Sequence, residues 1–204
     1  MIELVDVWKR FGRVWILRGV NMNVRRSTLI AIVGENGSGK TTLLKIICGL
    51  IKPTRGSVKI LGRDIRKDST YKYHVGILFH ENVLYDELTV HENLIFYSRM
   101  YGFKDLNDLA RNVFKRLNLE RYRDVKVRDL SYGWRKRVNF VRALVNDPEI
   151  ILLDEPLSGL DETARNTILD LLSDLSNERV VIMTSPTELD VECRTFHLMN
   201  GVLA

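Results

Sequence analysis

The sequence predicts an α/β fold with a mixed, mainly parallel sheet, flanking helices, an N-terminal antiparallel β part and an inserted helical subdomain. Two short apolar runs, 29–33 and 150–153, are typical of strands buried on both faces. Residues 2–8 alternate between apolar and polar side chains, which indicates a half-buried strand. A stretch with helical periodicity, from about 89 to 117, separates two strand-rich halves.

The other elements follow in chain order. Further strands are expected at 15–24, 58–61, 75–79 and 179–184, with a closing pair of short strands within 195–203. Helices are expected at 43–49, 89–102, 105–117, from 131 to about 146, and at 162–175. The change in composition at the central helices predicts a single domain with two parts. These are a core of 1–79 and 147–204, and a helical subdomain of 80–146.

A glycine-rich loop between strand 29–33 and the next helix fits the pattern G-x-x-x-x-G-K-S/T. Its residues are Gly34, Glu35, Asn36, Gly37, Ser38, Gly39, Lys40, Thr41 and Thr42. The glycines let backbone amides surround an anion, and the start of the helix adds positive potential. Lys40 adds a full charge for the outer phosphates, and the Thr41 hydroxyl is suited to Mg²⁺. The loop therefore predicts a binding site for a nucleoside triphosphate.

Two carboxylates, Asp154 and Glu155, follow the second buried strand. Asp154 stands where an acid that holds Mg²⁺ is expected. Because neighbouring side chains on an extended strand point in opposite directions, we expect Asp154 to face the metal and Glu155 to face a water molecule.

Composition excludes several classes of protein. A hydrophobic content of 45% and a charged content of 28% over 204 residues indicate a globular chain, and no apolar run reaches membrane-spanning length. The first residues carry acids and lack a cationic segment, so we expect no signal peptide.

Cys48 and Cys193 have no metal-like spacing and are expected to be reduced core residues of a cytosolic protein. The net charge is +5, and the basic cluster at 135–137 fits a solvated helix face better than an anionic partner.

Two more motifs complete an ordered set. Leu130-Ser131-Tyr132-Gly133-Trp134 precedes a helix, and Ser158-Gly159-Leu160-Asp161 follows the acids. With the phosphate loop, this order resembles the nucleotide-binding subunit of ATP-binding-cassette (ABC) transporters, a group of P-loop NTPases. The resemblance covers essentially the whole chain.

The resemblance implies an ATPase with ATP and Mg²⁺ as ligands, and it gives each matching position a role. The stretch 34–42 corresponds to the Walker A loop, Asp154 to the Walker B metal acid, and Glu155 to the general base. Ser131 and Gly133 correspond to the signature positions that contact ATP held by a second ATPase subunit, identical or different, and Asp161 to the acid that crosses that interface. Phe11 matches the aromatic residue that stacks on adenine, although an ordinary packed aromatic side chain is the alternative.

The resemblance also implies partners and a location. We expect a transmembrane permease subunit, no nucleic acid, and a cytoplasmic position on the inner face of the cell membrane. Seven large apolar residues in the helical stretch suggest a groove for a permease helix, with about half of them in a small subdomain core instead. They are Leu84, Tyr85, Phe96, Tyr97, Met100, Tyr101 and Phe103.

Three motifs depart from the family pattern, at four positions. Tyr132 and Trp134 replace a glycine and a glutamine of the signature. His80 occupies the switch-loop glutamine position, where its charge would depend on pH. Ser185 replaces the switch histidine, and losing one γ-phosphate donor is expected to lower the rate by about 10²–10³. We therefore expect slow turnover.

The run Glu92-Asn93-Leu94-Ile95-Phe96-Tyr97 and the histidine near the switch resemble the ATPase of the haem-exporter, cytochrome-c-maturation system. A general exporter of small substrates is the alternative. A nucleotide-gated dimerisation module with little hydrolysis is a second hypothesis for the chain as a whole. A DNA-maintenance ATPase is disfavoured, because the stretch from Lys40 to Ser131, a separation of 91 positions (131 − 40), contains no sustained heptads.

Overall fold

The structure, a computed structural model, describes residues 1–79 and 83–204. The switch-position prediction for His80 therefore falls outside the described residues. Within them the strands are β1 (Ile2–Phe11), β2 (Val14–Val24), β3 (Thr28–Val33), β4 (Arg55–Ile60), β5 (Arg63–Asp64), β6 (Val75–Leu78), β7 (Ile150–Leu153), β8 (Val180–Ser185), β9 (Arg194–Met199) and β10 (Val202–Leu203). The α-helices are α1 (Lys40–Ile47), α2 (Val90–Met100), α3 (Asp108–Arg116), α4 (Tyr132–Arg142) and α5 (Glu162–Ser176).

The strands form two sheets. An antiparallel sheet has the order β2-β1-β4-β5, and a six-stranded sheet has the order β10-β9-β3-β8-β7-β6. In the larger sheet β9, β3, β8, β7 and β6 are mutually parallel, and only β10 runs antiparallel to its neighbour. The carboxyl ends of β3, β7 and β8 therefore meet at one edge, which is where ligands bind in sheets of this kind.

The central strands separate two hydrophobic cores. On β3, Leu29, Ala31 and Val33 pack into a core that includes residues of α2 to α5, whereas Ile30 and Ile32 pack against α1 and the antiparallel sheet. The strands β7 and β8 divide their side chains between the same two cores. This two-sided burial explains why these strands are continuous apolar runs in the sequence.

Several boundaries differ from the sequence predictions for local reasons. β1 extends to Phe11 because the tight hairpin pairs Phe11 with Val14. α1 begins at Lys40, three residues earlier than its apolar pattern suggests, directly after Gly39. α4 ends at Arg142 rather than near Asn146, whose amide side chain instead donates to the carbonyls of Tyr73 and Val75.

The start of α2 is fixed as the sequence predicts. The Thr89 hydroxyl accepts from the Glu92 amide, and the Glu92 carboxylate accepts from the Thr89 amide, so the capping box is confirmed. The fully buried Asn93 joins this helix to the preceding turn, because its side chain bonds both the amide and the carbonyl of Tyr85. The backbone at Tyr85 is thus fixed by hydrogen bonds that do not involve its aromatic ring.

Candidate functional site

The glycine-rich loop joins β3 to α1 in a conformation that requires its glycines. Gly37 and Gly39 have φ angles of 84° and 107°, in the left-handed region. A Cβ added at Gly34 would lie 2.4 Å from the Leu198 carbonyl oxygen. In the described part of the chain the buried Ser38 hydroxyl has no hydrogen-bond partner. The loop is therefore a tight cradle with an unused polar group.

The N-terminus of α1 directs its first backbone amides at this cradle. Its N-cap residue is Gly39, which has no side chain to bond these amides, and its first turn contains no acidic residue. Lys40, only 5% exposed, donates to the carbonyl oxygens of Gly34 at 2.6 Å and Glu35 at 3.0 Å. A buried ammonium group beside the amides of a helix N-terminus is suited to a multiply charged anion. The residues present therefore fit the triphosphate group of a nucleoside triphosphate.

The first acid is held between the loop and a neighbouring strand. The Thr41 hydroxyl donates to one carboxylate oxygen of Asp154 at 2.7 Å, and the Thr184 hydroxyl donates to the other at 2.8 Å. Mg²⁺ prefers oxygen ligands and binds through one or two protein oxygens together with phosphates. Thr41 and Asp154 fit that donor set. Among the described residues no group of three or more histidine, cysteine or acidic side chains offers an alternative metal site.

Glu155 does not lie on an extended strand, and that part of the sequence argument is wrong. β7 ends at Leu153, and Glu155 has a φ of 46°, which is left-handed and strained for a residue with a Cβ. Its amide donates to the Thr184 hydroxyl at 2.9 Å. Its carboxylate lies 3.9 Å from the Lys40 ammonium group, at the edge of the cradle. The turn rather than strand alternation therefore directs this side chain toward the phosphate loop.

Sequence reasoning missed two residues that support these acids. Thr184 bridges Asp154 and Glu155, and its only signal in the sequence is its place at the end of a buried strand. Lys136 of α4 is 8% exposed and donates to the carbonyl oxygens of Glu155 at 2.7 Å and Ser158 at 2.6 Å. Burial lowers the pKa of Lys136 to about 8, although Glu155 and Asp154 oppose the shift.

The signature residues lie at the start of α4. Ser131 is the N-cap residue, but its exposed hydroxyl makes no capping bond, and Gly133 is half-buried. The Trp134 ring lies 4.3 Å from the Tyr122 ring, and the Arg137 guanidinium lies 4.1 Å from its centroid. Tryptophan in place of the family's glutamine therefore packs against Tyr122 and Arg137 of its own chain, while the Ser131 hydroxyl remains unused by the helix.

Asp161 has roles within its own chain. It caps α5 by accepting from the Ala164 amide at 2.8 Å, and it pairs with Arg137 at 3.2 Å. The Ala164 amide and the nearby Arg137 keep the pKa of Asp161 below its usual value. Its side chain remains largely exposed, so the role across an interface stays a prediction.

Ser185 ends β8 close to the phosphate loop. Its carbonyl accepts from the Gly34 amide at 3.2 Å. Its hydroxyl donates to the Thr187 carbonyl at 2.6 Å, within its own turn. The hydroxyl is thus already satisfied and is not directed as a free donor to a phosphate.

The aromatic residues of the β1–β2 hairpin lie on different surfaces. Phe11 is 51% exposed, and the Lys9 ammonium group lies 4.8 Å from its ring centroid. Trp15 instead lines a groove of about 590 Å³ together with the loop residues 34–38 and residues of β9. Stacking of adenine on Phe11 remains a prediction, and Trp15 is an additional aromatic candidate that the sequence did not single out.

This geometry agrees with comparisons to known proteins. The family model described as ABC transporter matches residues 17–158. The chain belongs to the ABC transporter family. It is an ABC ATPase, and the P-loop NTPase fold expected from the sequence is confirmed.

Named relatives and solved structures support the same assignment. The chain is 36% identical to the ABC transporter ATP-binding protein NatA of Bacillus subtilis, over 91% of this chain and 78% of that protein. It is 33% identical to the linearmycin resistance ATP-binding protein LnrL of the same organism, over 94% of this chain and 63% of that protein. A solved structure of the ATP-binding cassette MJ0796, a dimer in a post-hydrolysis state bound to ADP and Pi, is 30% identical with a TM-score of 0.87. That match covers 100% of this chain and 96% of MJ0796.

Proposed function

We propose that this ABC ATPase hydrolyses ATP between two head-to-tail subunits and drives a transmembrane permease. The observation that carries the proposal is the continuous contact from Thr41 through Asp154 and Thr184 to Glu155. It connects the phosphate cradle to both acids within one hydrogen-bonded unit. The dimeric MJ0796 cassette bound to ADP and Pi supports the proposal by relationship.

Each group then has a role in the reaction. Lys40 leaves its loop carbonyls to bind the outer phosphates, and the amides at the start of α1 bind the charge that remains. Thr41 and Asp154 would hold Mg²⁺, which would neutralise charge on the phosphates. Glu155 orients the attacking water and accepts its proton. Ser131 and Gly133 of a second subunit complete the site, for which the unused Ser131 hydroxyl is suited.

The test is steady release of phosphate by the purified protein, with and without candidate permeases in membranes. Stimulation by a permease is expected for a transport ATPase. The second hypothesis, a nucleotide-gated dimerisation module, is favoured by one observation, the Ser185 hydroxyl that is turned away toward Thr187. Dimerisation with ATP but no phosphate release would support that hypothesis instead.

Slow turnover is proposed for the same reason. Replacing Ser185 by histidine is expected to increase the rate by about tenfold or more, because it restores a donor of the kind worth roughly 10²–10³ in other sites. The measurement is phosphate release under saturating ATP, with Thr187→Ser as a control on the same turn. A wild-type rate as high as that of NatA or LnrL, with no gain in Ser185→His, would contradict slow turnover.

The permease is proposed to bind the helical part of the chain. Of the seven residues, Leu84 is buried, Tyr97 and Phe103 are half-buried, and Tyr85, Phe96, Met100 and Tyr101 are exposed. The rings of Tyr85 and Phe96 lie 5.0 Å apart. Beside Phe96 and Met100 runs a groove of about 660 Å³. Its lining combines apolar with polar side chains, which suits an amphipathic helix of a membrane protein; the lining residues are Leu88, His91, Glu92, Ile95, Phe96, Arg99 and Met100.

Alanine at Tyr85 or Tyr101 is expected to weaken binding to the permease by about tenfold, because exposed aromatic anchors dominate interface energies. ATP affinity should not change, and the backbone at Tyr85 keeps its bonds to Asn93. Co-purification with the permease measures the effect, with Val5→Ala as a control for an exposed apolar residue on β1. Unchanged complex formation in both variants would contradict a permease contact at these aromatic side chains.

The proposed location follows from the permease, at the inner face of the cell membrane. None of the described helices is long and apolar enough to cross a membrane. Haem remains our sequence-based hypothesis for the substrate, although the names of the relatives NatA and LnrL do not mention haem. Co-purification with a haem-handling membrane complex tests it.

A further inference from the structure

A lysine on the signature helix holds the turn that carries the proposed general base. The Lys136 ammonium group donates to the Glu155 carbonyl at 2.7 Å, to the Ser158 carbonyl at 2.6 Å and to the Ser158 hydroxyl at 2.8 Å. These three bonds use all three donors of the ammonium group. Three hydrogen bonds offset part of the cost of burying an ammonium group that is only 8% exposed.

The turn depends on external support. Glu155 has a φ of 46°, and the Ser158 amide closes the turn by donating to the Glu155 carbonyl at 3.2 Å. Strained conformations of this kind persist only where surrounding contacts over-determine them. Lys136 bonds both ends of the turn, and Thr184 bonds the Glu155 amide. Without Lys136, the carbonyl and hydroxyl of Ser158 lose this charged donor.

The attachment of α4 itself does not require this lysine. Val138, Phe140 and Val141 of the same helix are almost fully buried in the core that contains residues of α2 to α5. The polar contacts of Lys136 instead point to the edge of the sheet, where the acids lie. The lysine thus connects the helix that begins at Ser131 to the loop that begins at Glu155.

We propose that Lys136 is a positioning residue for Glu155, because it fixes the 155–158 turn to the signature helix. Through it, the place of Ser131 and Gly133 against a neighbouring subunit's nucleotide is coupled to the orientation of this subunit's own Glu155. The inference rests on the proposed role of Glu155 in hydrolysis. It adds a connection between the two half-sites that one subunit contributes.

The test compares Lys136→Met, which keeps the apolar stem, with Lys136→Arg, which keeps the charge and donors. Lys136→Met is expected to lower kcat by about tenfold or more, since small misplacements of a catalytic group have effects of this size. The KM for ATP should change less than about twofold, because the cradle is intact. Hydrogen exchange of the Ser158 amide should accelerate by about tenfold in Lys136→Met as the turn opens. Lys136→Arg should recover part of both properties, and Lys115→Met, at an exposed lysine of α3, should match the wild type.

Three results would overturn the proposal. These are an unchanged kcat in Lys136→Met, an unchanged Ser158 exchange rate in Lys136→Met, and an arginine variant no better than methionine in both readouts. If Lys136→Met does not fold, Lys136→Gln, which removes the charge but keeps an amide donor, decides with the same readouts. Unaltered exchange and kcat in Lys136→Gln would reject the proposed role of Lys136. A wild-type protein that releases no phosphate would contradict the proposed function, whereas the exchange measurement would still report on Lys136.

Discussion

Replacing Glu155 by glutamine is expected to reduce steady phosphate release by at least about 10²-fold, the range for loss of a general base. Glutamine has the same size, so the strained turn and its bonds to Lys136 and Thr184 should remain, because they involve the backbone of residue 155. ATP binding should therefore persist. The measurement is phosphate release at saturating ATP, together with equilibrium ATP affinity.

The control for this variant is Glu162→Gln, an exposed acid in the first turn of α5. It removes one negative charge without touching the cradle. Glu155→Gln should also accumulate as an ATP-bound dimer, since closure no longer leads to hydrolysis. Turnover within a few-fold of the wild type in Glu155→Gln would show that another group activates the water.

Replacing Lys40 by alanine is expected to weaken ATP affinity by about 10²-fold or more, as for loss of one partner in a buried charge pair. In the structure its ammonium group is held in place by the carbonyls of Gly34 and Glu35, ready to transfer to phosphate oxygens. Equilibrium titration with ATP measures the effect. Affinity for adenosine, which lacks phosphates, should change little.

Lys115→Ala serves as the matched control, because it removes one positive charge at an exposed position of α3. It separates a general electrostatic effect of the net charge of +5 from a contact at the loop. If Lys40→Ala bound ATP as tightly as Lys115→Ala, the phosphate-loop interpretation would be wrong.

The parts of the fold that the sequence predicted are those determined by local patterns. The buried strands β3, β7 and β8 are recognisable because both of their faces are apolar. The phosphate loop is recognisable because its conformation needs glycine at positions with positive φ, as at Gly37 and Gly39. The capping box at Thr89 is local in the same way.

The parts that the sequence did not predict depend on residues distant in the chain. The left-handed turn at Glu155 is set by Lys136, 19 residues away, and by Thr184, 29 residues away. Trp134 departs from the family's signature motif, yet its ring contacts both Tyr122 and Arg137. β5 has only two residues and exists through its pairing with β4, so it has no periodicity to detect. Contacts of this type become visible only when the fold brings the partners together.

The central strands that belong to both hydrophobic cores have a thermodynamic consequence. Because β3, β7 and β8 contribute side chains to each core, we expect loss of one core to remove packing from the other. The denaturation of one is then the denaturation of both, in a single cooperative transition. The nucleotide cradle begins where β3 ends, so we expect its first residue, Gly34, to be anchored to the part of the fold that unfolds last.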